Sequence, residues 1–184
     1  MIISHTTNEF PETIPTSIDT YSFNHARDGE DVLVNLHDTK GADDYERLRG
    51  LSYVGADVFL LCFDLHSRES FETLKTWNDG VRPKANPMDQ PRPTPKDPRH
   101  FTDDDVPVII VGLKDDDYCR NQADKVSREE GHTLCRDFNA HKYMECSAMT
   151  QRGQKDVFSE AVQVGMKYLQ SKLASKKKKK CVIC

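Results

Sequence analysis

Two near-continuous apolar runs, Ala56 to Phe63 and Val106 to Val111, have the pattern of strands covered on both faces, as in a parallel sheet. Each ends at a Gly-rich or Asp-rich loop. Lys142 to Cys146 predicts a third, shorter buried strand. Earlier in the chain, stretches over 19–26 and 31–38 flank Arg27-Asp28-Gly29-Glu30, and Asp-Gly is a strong hairpin signal, so the first two strands are expected to be antiparallel. Helical spacing appears at Ser70, Phe71, Leu74 and Trp77. It recurs over 127–139, which opens with a capping box of Ser127 and Glu130, and over 154–173, where Val157, Phe158, Ala161, Val164, Tyr168 and Leu169 form one stripe. Strands alternating with helices predict an α/β fold, a doubly wound and mostly parallel sheet flanked by helices. Ligands of such sheets sit beyond the carboxyl ends of the strands, which directs attention to the loops after Leu36, Phe63, Val111 and Cys146.

Composition narrows the function. With 184 residues and 21.0 kDa the chain has the length of one domain, here residues 1–170 followed by a tail over 171–184. A mean hydropathy of -0.71 accompanies the lack of any apolar run of membrane-spanning length, and the first residues do not read as a signal peptide, so a cytosolic chain is expected. Residues 171–184 hold six lysines and no acid; setting those six aside, the net charge of -4 leaves -10 on residues 1–170. An acidic body of that kind argues against nucleic acid as a partner. Of the six cysteines, Cys62 and Cys146 lie in apolar strand-like runs, Cys119 and Cys135 are scattered and two are in the tail, which predicts no disulfide framework. Residues 81–105 carry Pro83, Pro87, Pro91, Pro93, Pro95 and Pro98 and predict a solvated insertion loop, with Pro91 to Pro95 as an alternative extended ligand for an SH3-type partner.

The tail has its own chemistry. Lys176 to Lys180 run into Cys181-Val182-Ile183-Cys184, a C-a-a-X box behind a polybasic stretch, which predicts prenylation at Cys181. One lipid chain binds a membrane marginally; each lysine adds about 1 kcal/mol on an anionic cytoplasmic leaflet. The competing reading, half of a C-x-x-C metal site, lacks a second cysteine pair at ligand spacing. The expected location is therefore the cytoplasmic face of membranes, with a cytosolic pool.

At the predicted strand ends lie His37 to Arg49, then Gly112-Leu113-Lys114-Asp115-Asp116, then Ser147-Ala148-Met149-Thr150. In the first, Asp38 followed three residues later by Gly41 suits a magnesium-bound water and a phosphate. Together with the tail, with Thr6-Thr7-Asn8, Phe10-Pro11, Ile14-Pro15-Thr16, Asp44 to Arg49, Glu145 to Ala148 and Thr150 to Gly153, these segments resemble a Rho-family small GTPase, Rac-like in wording, over nearly the whole chain outside the proline-rich insertion.

The resemblance implies a GTP/GDP-dependent switch that uses Mg2+ and engages Rho-type effectors and regulators. It assigns the guanine edge to Asp116, the flank of the base to Lys114 and Phe10, and the guanine oxygen to the N–H of Ala148, with Ser147 and Met149 in the same loop. Thr16 and Asp38 correspond to magnesium-binding positions, Gly41 to the γ-phosphate contact, and Thr16, Asp19 and Tyr21 to the effector loop. There are departures. None of the nine glycines lies in a G-x-x-x-x-G-K-[ST] run, and Met1 aligns just past where that loop and the first strand would stand, so a sheet missing its first strand is expected. Ala42 takes the place of the water-positioning glutamine, which implies slow hydrolysis and no catalytic residue. His37 replaces an aromatic that exchange factors read. The alternative reading is a nucleotide-free pseudo-GTPase, a membrane-anchored interaction module.

Overall fold

In a computed structural model, the described residues are 1–13, 20–27, 30–39, 53, 55–81, 106–116 and 124–179. In chain order the elements are α1 (Ile2–Thr7), β1 (Thr20–Arg27), β2 (Glu30–His37), β3 (Phe59–Asp64), α2 (Arg68–Val81), β4 (Val108–Leu113), α3 (Arg128–Asp137), β5 (Lys142–Cys146) and α4 (Gln154–Lys179).

The strands form a parallel sheet in the order β3-β4-β5 and a separate antiparallel hairpin of β1 with β2. In the hairpin Phe23 pairs with Val34 and Arg27 with Glu30. Side chains alternate as a pleat requires: Tyr21, Phe23, His25, Val32, Val34 and Leu36 are half-buried, while Ser22, Asn24, Leu33 and Asn35 point to solvent. The turn at 28–29 and the proline-rich stretch over 82–105 lie outside the described residues, although the strands the turn joins pair as expected.

Strand β4 is central, and Val108, Ile109, Ile110 and Val111 are buried from both sides. On one face Leu61, Phe63, Val108, Ile110 and Tyr143 pack against Leu74 of α2 and Leu134 and Phe138 near α3. On the other, Ile109, Val111 and Cys146 meet Val157 and Ala161 of α4, with Met1 and Leu60 alongside. Helices therefore cover both faces, as the alternating pattern predicts. The approach of α3 to β5 is close enough that a Cβ on Gly131 would stand 2.2 Å from the Tyr143 ring.

Element limits moved for local reasons. The Ala56 run enters the ladder only at Phe59, whose N–H donates to Pro107 O at 2.9 Å; Pro107 has no N–H to offer, and β4 starts one residue later. Helix α4 continues past Leu173 to Lys179, because lysine is a good helix former, and it crosses residue 170 without a break. Cys62, expected within a buried strand, is exposed. Strand β3 is an edge of its sheet, and among the described residues no strand joins that edge to the hairpin.

What the hairpin does share with the body is α1, an element too short to leave a periodic signal in the sequence. The His5 ring stacks on Phe158 of α4 at 4.0 Å between centroids and meets Phe23 of β1 edge-on at 4.7 Å. Burial holds the His5 imidazole below its ordinary pKa, and His25 and Lys155 add to the effect.

Candidate functional site

The carboxyl ends of β4 and β5 carry most of the described residues that the sequence singled out. Past β4 the backbone turns sharply at Lys114, with φ of 63°, and the Asp115 N–H then donates to Cys146 O at 3.1 Å, tying this loop to the end of β5. Asp116 follows. Its Oδ2 accepts from the Ser147 hydroxyl at 2.5 Å, while Ser147 Oγ accepts from the Thr150 N–H at 3.1 Å. Ser147 is fully buried, so its hydroxyl has one direction left to it and aims the carboxylate.

Other bonds brace the two loops against each other. Arg152 pairs with Asp115 Oδ2 at 2.7 Å and also donates to the Asp115 carbonyl, and Ser147 N–H donates to Arg152 O at 3.0 Å. From below, buried Ser4 of α1 donates to Ala148 O at 2.8 Å, and Gln151 donates to Asn8 O at 2.9 Å. The second of these bonds ties the chain two residues before Phe10 to the 147–151 loop. Phe10 and Met149 are 53% and 49% exposed, large apolar side chains left uncovered on segments that meet here.

Lys114 is held elsewhere. Its Nζ lies 2.5 Å from Asp64 Oδ2 at the end of β3, and the His66 N–H donates to the other Asp64 oxygen at 2.8 Å. Burial works to raise the Asp64 pKa, but the Lys114 bond and the His66 amide outweigh it, and the carboxyl sits below its ordinary value.

The arrangement fits a planar, hydrogen-bonding base. Asp116 keeps acceptor capacity for a ring N–H and the exocyclic amino group beside it, and among the described residues the Ala148 N–H has no partner. The magnesium half cannot be assembled in the same way. Asp38 is exposed just past β2, a single carboxylate for an ion that demands about six oxygens. Thr16, Asp19, Gly41 and Ala42 lie outside the described residues, and among the described ones no cluster of three or more His, Cys, Asp or Glu could hold a metal. Tyr21 is half-buried on β1 opposite Leu36, on the inner face of the hairpin. Ser4 and Arg152 lie in segments the sequence matched to the family without assigning them a role, and Asp64 was not singled out; only its position at a strand end could have pointed to it.

A parallel sheet covered by helices on both faces, with braced loops at its carboxyl ends, is the α/β architecture of small GTPases. The chain belongs to the Ras family, whose family model matches residues 1–167. Proteins of this family bind GTP or GDP with Mg2+ and engage regulators and effectors.

Proposed function

We propose that the protein is a Rho-type guanine-nucleotide switch, held at the cytoplasmic face of membranes by a prenyl group on Cys181 and by Lys176 to Lys180, with a cytosolic pool. The observation that carries the nucleotide half is the Asp116 carboxylate, fixed by Ser147 at 2.5 Å beside the Ala148 N–H. An acceptor held in place before the ligand arrives loses little freedom on binding. The subfamily and the membrane anchor rest on sequence: the Thr16 to Tyr21 effector segment, the wording around 44–49, and the C-a-a-X tail. Residues 1–170 form the switch domain and 171–184 the anchoring tail. Hydrolysis is slow, because the Ala42 methyl cannot orient a water. The 184 residues hold no G-x-x-x-x-G-K-[ST] run, so impaired phosphate binding is expected of them.

Calorimetry with GDP and Mg2+ on these 184 residues tests the reading, alongside Asp116→Asn. Removing a charged acceptor from two hydrogen bonds weakens GDP binding by about a hundredfold. Absence of guanine-nucleotide binding by the unmodified chain would refute the switch and leave the membrane-anchored interaction module.

A further inference from the structure

We propose that Asp64 is a positioning residue of the base-reading loop, which it serves by holding Lys114 away from Asp116. This rests on the base-reading assignment above and adds a residue that the sequence motifs do not contain. The loop is anchored in two directions. Its first residue, Lys114, reaches sideways to Asp64 on β3, whereas Asp115 and Asp116 are tied to the loop after β5 by Cys146 O, Arg152 and Ser147. The parallel register sets this up: Asp64 pairs with Leu113, so the carboxylate stands beside the residue that leads into the turn at Lys114.

Two effects follow. The ion pair stretches the Lys114 stem across the strand ends, where its methylenes offer an apolar edge to a purine. It also neutralises an ammonium that otherwise swings free two residues from Asp116. A released Lys114 competes with the ring N–H and exocyclic amino donors of the base for that carboxylate. The Asp64 carboxylate is itself held firmly, since its side chain is 23% exposed and its second oxygen is engaged by the His66 amide, which fixes the rotamer.

The test is guanosine and GDP binding to the full chain, its Asp64→Asn and Asp64→Glu variants, and each of these in a Lys114→Met background. The expected result is a threefold to fivefold loss with Asp64→Asn, on the scale of one partly exposed ion pair. Asp64→Glu, which keeps the charge, recovers most of it. The loss shrinks near 1 M salt, where the screening length falls to about 3 Å. In the Lys114→Met background Asp64→Asn has no further effect, as a double-mutant cycle demands of residues that act through each other. Wild-type affinity in Asp64→Asn, or an equal loss without Lys114, would overturn the proposal. If the unmodified chain binds neither ligand, the base-reading assignment fails, and amide exchange decides about Asp64 separately. Faster exchange of the Asp115 N–H in ligand-free Asp64→Asn supports the positioning role, and unchanged exchange overturns it.

Discussion

Gln154 opens α4 and is 2% exposed, and among the described residues its Oε1 has no hydrogen-bond partner. A buried amide oxygen left unpaired costs about 1–3 kcal/mol, so Gln154→Leu is expected to stabilise the protein by about that amount. Urea unfolding checks it, and a lower midpoint for the variant would show that the oxygen is satisfied after all. Glu130 is the opposite case, a carboxylate with both oxygens engaged. Arg68 lies 2.5 Å from its Oε1 and the Ser127 N–H 2.9 Å from its Oε2; these partners, Arg68 first, hold its pKa at about 2. A depressed carboxyl pKa contributes stability above the unfolded value of 4.5 and loses it as pH falls toward 2. Glu130→Gln should therefore flatten the fall in stability between those two pH values while changing little near pH 2. Fluorescence-monitored unfolding across that range reads the difference.

At the level of elements, what the sequence reveals depends on how many residues vote for each segment. Strands β4 and β5, the capping box of α3 and the stripe of α4 apart from Leu169, which is exposed, were legible, because burial on a regular period repeats the same signal several times. Helix α1 has six residues and no such redundancy, and its place is set by partners remote in the chain: Ser4 with Ala148, and His5 with Phe158. The exposure of Cys62 was illegible for a related reason. An apolar run says that a strand can be buried, not how many neighbours arrive to bury it. The site divides the same way. Asp116, Ser147 and Ala148 could be read as an ordered set, whereas Asp64 meets Lys114 across 50 residues and left no local pattern. Ser127→Ala removes the side-chain cap of α3 and should cost about 1 kcal/mol in thermal or chemical unfolding, with loss of the bond from the Glu130 N–H to Ser127 Oγ as the cause.

For the whole molecule, the acidic body and the basic tail predict an anchor that needs two contributions. Cys181→Ser should move the protein from membrane to soluble fractions, since about five lysines alone hold a surface only weakly and lose it to salt. Membrane pelleting at low and high ionic strength measures this, and unchanged sedimentation would remove Cys181 from the anchoring role.

The hairpin stands apart from the three-stranded sheet, and the ring cluster of His5, Phe23 and Phe158 links the two. Its inner residues are half-buried where those of β4 are fully enclosed. Native-state amide exchange is thus expected to show β1 and β2 opening at a lower free energy than β4. Under the proposed switch reading, heat or denaturant would loosen the hairpin, which carries Tyr21 of the effector segment, while the loops assigned to the base stay folded. Recognition of the small molecule and communication of its presence would then fail at different temperatures.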